Sequence, residues 1–246
     1  MPILYLSPST QENNYYVNGG TEEEWMNRLA DALEPYLTAS GIRFTRNTPE
    51  MTAASSIRAS NEGNYDLHLA LHSNAAPEGQ YGQIRGILVF YYPGSAKGRE
   101  AANLVADGLK TIYPLPNNVR AVSTTAIGEV TKVRAPSVFI ELGYHDNVDD
   151  AVWIKNNIDA AAKNIALSLT EYFGVPFLEP RASRPAVVDV SWGYLNIRDK
   201  PDTSSAVLAQ AYDGARLTVI NQYQDWYVVE FDGLVGWASA DFITLI

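Results

Sequence analysis

Asp66-Leu67-His68-Leu69-Ala70-Leu71-His72-Ser73-Asn74 reads as a β-strand whose apolar run closes on a polar tip, His72-Ser73-Asn74. Similar strand-like runs lie to either side, at Ile3–Leu6, Ile42–Thr45, Gly86–Tyr92 and Ser137–Glu141. Long helical patterns fall between or after them. Residues 21–39 put Met26, Leu29, Leu33 and Leu37 on one face, with Thr21 and Glu24 as a capping box and Gly41 as the stop. Pro35 stands inside that helix, where a proline introduces a kink. Residues 96–112 and 149–173 are also amphipathic, the latter through Ile154, Ile158, Ala162, Ile165 and Leu169, with Gly174 ending it. Alternating strands and helices predict an α/β domain: a mainly parallel twisted sheet with helices on both faces.

The pattern changes after Gly174. Pro176, Pro180 and Pro185, with Arg181, Ser183 and Arg184 among them, disfavour helix and sheet and read as a linker. From Val187 the helical period is gone. Short β-rich runs, Tyr194–Ile197, Leu217–Asn221, Trp226–Phe231 and Leu234–Trp237, are separated by Asp213-Gly214 and Asp232-Gly233, the second a tight hairpin. The expected organisation is a first domain over 1–175, a linker over 176–185 and a small all-β barrel over 186–246. Trp226 is expected in the barrel core, and an exposed Trp or Tyr would be the surface for contact with a partner.

Composition narrows the function. With 246 residues, 46% of them hydrophobic and 19% charged, the chain is neither a disordered tail nor a fibre nor a coiled coil. A net charge of −10 disfavours nucleic acid as a partner. The absence of cysteine excludes disulfides, thiolate metal sites and a cysteine nucleophile. Apolar stretches such as Ile87–Tyr92 are far short of the roughly 20 residues a membrane-spanning helix needs. Met1-Pro2-Ile3-Leu4-Tyr5 lacks the basic and long apolar segments of a secretory signal.

Ligands of open α/β sheets bind outside the carboxyl ends of the strands. There the sequence offers His72, Ser73 and Asn74, then Glu141, and a loop over 7–20 entering a helix that begins with Glu22, Glu23 and Glu24. One histidine with carboxylates suits zinc, and a carboxylate off the metal can take a proton from water. His68 shares a strand face with His72, but four residues at about 3.3 Å put its backbone roughly 13 Å away. It is expected to be a buried sheet histidine.

These residues fall into ordered blocks: Glu23 and Asn27, Thr45-Arg46, then Arg58, Asn61 and Asp66, then Leu71-His72-Ser73-Asn74-Ala75, and finally Ala135-Pro136 leading to Glu141-Leu142-Gly143-Tyr144 with Asn147. Over about residues 3–174 they resemble the zinc-dependent N-acetylmuramoyl-L-alanine amidases, peptidoglycan-cleaving enzymes with an α/β fold. The resemblance implies that Glu23 and His72 bind zinc. It implies that Glu141 acts as general base on the metal-activated water and then as general acid to the leaving amine. The bond cleaved would be the amide joining N-acetylmuramic acid to L-alanine of the stem peptide, with Asn74 and Arg58 as substrate contacts, although Arg46 and Arg58 also suit ion pairs that support the fold. One departure stands out. The family's first strand ends in Asp-Pro-Gly-His, whose histidine is a zinc ligand, whereas this chain has Ser7-Pro8-Ser9-Thr10. Gln11, Glu12 and His145 are the alternatives for the third ligand.

Leu195-Asn196-Ile197-Arg198, Pro201, Gly214, Trp226-Tyr227-Val228-Val229, Gly236-Trp237 and Phe242 resemble a bacterial Src-homology-three-like domain, which implies docking on cell-wall peptides. The expectation is therefore a zinc-dependent hydrolase of peptidoglycan acting extracellularly or in the cell wall, with secretion inferred from the substrate alone. The lost histidine keeps open a wall-binding protein that no longer hydrolyses, and the metal chemistry keeps open a zinc peptidase for a different peptide bond.

Overall fold

A computed structural model describes all 246 residues, Met1–Ile246. The chain forms two compact units: Ile3–Glu34 with Phe44–Tyr172, and Met1–Pro2 and Pro35–Arg43 with Phe173–Ile246. The first unit carries strands β1 (Ile3–Pro8), β2 (Arg43–Arg46), β3 (Leu67–Asn74), β4 (Ile87–Tyr91), β5 (Val119–Ser123) and β6 (Ser137–Tyr144) in a six-stranded sheet. Helices α1 (Glu22–Ala39), α2 (Ala53–Glu62), α3 (Ala96–Lys110), α4 (Gly128–Thr131), α5 (Val148–Asn156) and α6 (Ile158–Phe173) connect and cover it.

The strand order is β2-β1-β3-β6-β4-β5. β1 runs parallel to β3, β3 to β6 and β4 to β5, while β4 runs antiparallel to β6, so the mainly parallel sheet is a mixed one. Every residue of β3 except Asn74 is buried, as is every residue of β6 except Glu141. Strands covered on both faces lose the alternation of polar and apolar residues and become continuous apolar runs. That is why Asp66–His72 and Ser137–Glu141 were legible as strands, although both strands run on, to Asn74 and Tyr144. β5 and α2 carry weaker patterns and were not expected.

The helix ends follow local chemistry. At α1 the backbone N–H of Glu24 donates to Thr21 Oγ1 at 3.2 Å, but the Glu24 carboxylate pairs with Arg28 at 2.7 Å, so only half of the capping box forms. The helix closes where Gly41 adopts a positive φ of 72° and the Ile42 N–H returns to the Leu37 carbonyl at 2.8 Å. The helical pattern over 149–173 is two helices, broken at Asn157.

The carboxyl ends of β3 and β6 are shaped by one bulge. His72 pairs with Glu141 but Asn74 with Tyr144, so β6 carries one extra residue there. Gly143, with φ of 82°, takes the left-handed conformation this needs. Asp150, fully buried, ties the turn down: its carboxylate accepts from the Tyr144 N–H at 3.0 Å, the Gly86 N–H at 3.1 Å, Arg85 Nε at 2.9 Å and the Tyr113 hydroxyl at 2.5 Å.

In the second unit β7 (Arg184–Val188), β8 (Tyr194–Arg198), β9 (Val207–Tyr212), β10 (Arg216–Tyr223), β11 (Trp226–Phe231), β12 (Leu234–Ser239) and β13 (Ile243–Leu245) form an antiparallel sheet in the order β13-β7-β10-β11-β12-β8-β9. Positive φ at Asp232 (50°) and Gly233 (75°) builds the expected β11–β12 hairpin. Val188, Ile197, Leu217, Val219, Val229 and Ala238 are in its core. The buried tryptophan is Trp237, at 0% exposure, rather than Trp226, which opens β11 half-buried at the rim of a cleft.

Asp150→Ala removes the acceptor shared by Arg85, Tyr113 and two backbone N–H groups. It is expected to destabilise the protein by about 3–5 kcal/mol in urea unfolding, because breaking a buried ion pair strands its partners.

Candidate active site

His72 lies on β3 directly opposite Glu141 on β6, so the parallel register sends both side chains to the same face of the sheet. The imidazole is 6% exposed and stacks on Phe139 with ring centroids 4.2 Å apart. Its Nδ1 is 2.7 Å from Glu22 Oε1, and its Nε2 is 3.4 Å from Glu129 Oε2. Burial alone would lower the pKa of His72, but the two carboxylates outweigh it and raise it to about 10. Glu22 accepts a further hydrogen bond from Asn14 Nδ2 at 2.7 Å, and its pKa falls because His72 outweighs the penalty of burial.

Glu129 is buried as well, and its other oxygen accepts from the Ser7 hydroxyl at 2.6 Å and meets His68 Nε2 at 3.2 Å. Burial pushes its pKa up, yet hydrogen bonds from His68 and His72 bring it down to about 2. Glu141 experiences the reverse balance. Burial raises its pKa to about 8, the Glu22 charge adds to that, and only the His72 charge opposes it. Its Oε2 is buried with no hydrogen-bond partner. A carboxyl group with a pKa near neutrality and a free oxygen is suited to accept and return a proton.

Around His72 Nδ1 two polar side-chain ends converge. Besides Glu22 Oε1, the Gln11 carboxamide nitrogen is 3.3 Å from Nδ1 and 3.5 Å from Glu22 Oε1. Its oxygen accepts from Asn14 Nδ2 at 2.9 Å, so rotating the amide to present that oxygen at the same place gives up this hydrogen bond. No point in the molecule is faced by three His, Asp or Glu side chains, because Glu129 meets the opposite ring nitrogen. The donors therefore fit a zinc ion as one imidazole, one carboxylate and a weaker neutral amide, with the unpartnered Glu141 oxygen close by. A cavity of about 410 Å³, lined in part by Thr10, Gln11, Met51, His72 and Glu129, opens beside this cluster.

The structure brings Glu22 rather than Glu23 to His72. Glu22 precedes Met26 by four residues and Leu29 by seven, both fully buried, so it shares the inward face of α1. Glu23 is a helical step round, half-buried, and its backbone carbonyl accepts from Asn27 Nδ2 at 2.8 Å. Helix register was the signal for this. Glu12 is exposed and lines a neighbouring cleft. His145 is buried, its ring tilted against Tyr16 at a centroid distance of 5.5 Å, with Nδ1 3.0 Å from the Ser73 carbonyl. Asn74 caps its own strand end, its Oδ1 accepting from the Ala75 N–H at 2.9 Å. Arg58 is exposed on α2, off the face of that helix that buries Ser56 and Ser60. Arg46 pairs with Asp31 at 2.6 Å and Glu34 at 2.7 Å. His68 is the expected buried sheet histidine, held at Nδ1 by Ser60 at 2.9 Å. Glu129 had no sequence signal, since it sits in a single four-residue helical turn.

The second unit has a cleft of about 460 Å³ whose lining includes Trp192, Tyr194, Arg198, Trp226 and Phe242. Trp192 is 87% exposed.

Residues 9–171 match the sequence profile of N-acetylmuramoyl-L-alanine amidases, and residues 193–244 match the bacterial SH3 domain. No curated protein sequence matches the chain. Among solved structures, the amidase AmiC2 of Nostoc punctiforme shares the fold at a TM-score of 0.61 and 15% identity, over 70% of this chain and 97% of that one. The catalytic domain of the amidase CwlV from Bacillus (Paenibacillus) polymyxa var. colistinus does so at 0.62 and 14%, over 72% and 100%. The catalytic domain of the CD27L endolysin targeting Clostridia difficile does so at 0.57 and 23%, over 70% and 97%.

Glu141 also predicts a pH dependence of stability. An acid whose pKa is raised in the folded state, here from 4.5 to about 8, withdraws stability as pH climbs through that window and no further above it. In zinc-free protein, Glu141→Gln is therefore expected to be more stable than wild type by up to about 4 kcal/mol near pH 8 and by almost nothing near pH 4, as read by denaturant unfolding.

Proposed function

Because the chain belongs to the N-acetylmuramoyl-L-alanine amidases, we propose that it hydrolyses the amide between N-acetylmuramic acid and L-alanine of the peptidoglycan stem peptide, with zinc as cofactor. The observation that carries this reading is the convergence of Glu22, His72 and the Gln11 carboxamide beside a buried carboxyl group with a free oxygen. Glu22 and His72 would hold the zinc ion, Gln11 taking the third place because its amide lies 3.3 Å from His72 Nδ1, in preference to Glu12 or to His145, whose Nδ1 is engaged with Ser73. When bound, the ion supplies Lewis-acid chemistry, polarising the scissile carbonyl and acidifying water.

The rest of the chemistry belongs to the chain. Glu141 Oε2 takes a proton from the attacking water and returns it to the departing amine of L-alanine as the C–N bond breaks. Burial favours its neutral form while the His72 charge favours its carboxylate, so it can carry the proton both ways. Glu22, held by Asn14 and His72, keeps its charge throughout. The cavity beside His72 receives the substrate, with Asn74 at the β3 tip and the exposed Arg58 as the contacts assigned to it. Docking of the aromatic cleft of the second unit on the wall fits action at the extracellular or cell-wall side. A wall-binding protein that does not hydrolyse is the second reading, favoured by the neutral third donor.

With one equivalent of zinc, the protein is expected to release free stem peptide bearing an N-terminal alanine from muropeptides, detected by mass spectrometry. Glu141→Gln should lower kcat/KM at least about 100-fold, and Glu22→Gln should lose zinc that Glu23→Gln retains. Binding to wall fragments with neither zinc nor peptide release would establish the second reading, and a new amine other than that alanine would make the protein a peptidase of another bond.

Trp192→Ala is expected to weaken co-sedimentation with purified cell walls about tenfold, the loss typical of an exposed aromatic anchor, while soluble muropeptides are cleaved as before. Unchanged sedimentation would remove the cleft from the docking surface.

A further inference from the structure

Glu129 is engaged on both carboxylate oxygens, yet it lies off the side of His72 that faces Glu22 and Gln11. Its carboxylate spans two histidines of one strand: Oε1 is 3.2 Å from His68 Nε2, and Oε2 is 3.4 Å from His72 Nε2. Three further contacts fix it. Ser7 at the end of β1 donates its hydroxyl to Oε1 at 2.6 Å, His68 is itself held at Nδ1 by Ser60 at 2.9 Å, and the Glu129 carbonyl accepts from the Ser137 hydroxyl at 2.6 Å. All of these groups are buried. A buried carboxylate with such a set of donors cannot turn away without leaving charge unpaired, so it fixes what it touches.

What it touches is the far nitrogen of His72. An imidazole binds a cation through a lone pair on one nitrogen, and a carboxylate on the other nitrogen decides which one is left free and which way the ring points. Glu129 stands 3.4 Å from Nε2, so Nδ1, the nitrogen facing Glu22 Oε1 and the Gln11 carboxamide, is the one that can turn a lone pair to a cation. We propose that Glu129 is a positioning residue: braced by Ser7 and His68, it holds His72 by Nε2 so that Nδ1 is presented to zinc. Its importance is greater here because only one imidazole and one carboxylate, with a neutral amide, converge on the site. The inference rests on the reading of His72 as a zinc ligand.

The test measures zinc affinity of the full chain by competition with a chelating indicator, with circular dichroism to confirm the folded state. Wild type is expected to take up one zinc ion. Glu129→Gln, which keeps shape but not charge, should bind it about 10- to 100-fold more weakly and shift the visible absorption of the cobalt-substituted protein. Ser7→Ala removes only the hydroxyl that braces the carboxylate, and should weaken zinc in the same direction by a smaller factor. It also serves if Glu129→Gln does not fold. If wild type binds zinc and the folded variants bind it equally well with an unchanged cobalt spectrum, Glu129 is structural only and the proposal is overturned. If wild type itself takes up no zinc, it is the reading of His72 as a ligand that fails.

Discussion

A buried imidazole with a carboxylate on each nitrogen is the constraint around which the first unit is organised. Neither acid comes from its own strand: Glu22 arrives from the first turn of α1 and Glu129 from the short turn of α4, while Phe139 of β6 covers the ring face. Taking any of these three groups out of water is costly, and each is tolerable only because the others are present. The ends of β1, β3 and β6 and two helix starts are thereby fastened to one point.

The two buried glutamates on either side of this histidine show how environment assigns roles. Glu129 has two histidines and a hydroxyl as partners and is pulled down to about 2. Glu141 has no hydrogen-bond partner for its Oε2 and is pushed up to about 8. Loss of water raises the pKa in both cases, so the donors make the difference. One acid is a fixed charge, suited to holding a ring in place, and the other is a proton carrier. Such separation of paired carboxyl groups is a general feature of hydrolytic sites.

The second unit divides its tryptophans by position rather than by count. Trp237 is fully buried beside Gly41, and Trp226 and the nearly uncovered Trp192 line a cleft with Arg198. A small sheet needs few large side chains for its interior, so the remainder is available for contact.

The sequence by itself determined the α/β alternation, the strands around His72 and Glu141, the antiparallel C-terminal unit and the family. These depend on local periodicity and on residues adjacent in the chain, which are visible without coordinates. The antiparallel placement of β4, the extra strand β5 and the break at Asn157 depend on long-range pairing and carry little local signal. Among the acids, Glu22 was within reach of helix register, since it lies on the face of Met26 and Leu29, whereas Glu23 matched a spacing alone. Gln11 as the amide nearest His72, and Glu129 spanning two histidines 61 and 57 residues upstream, were decided only by the tertiary structure. The reason is physical: such contacts are made by side-chain tips brought together from separate elements, and chain distance says nothing about where those tips meet.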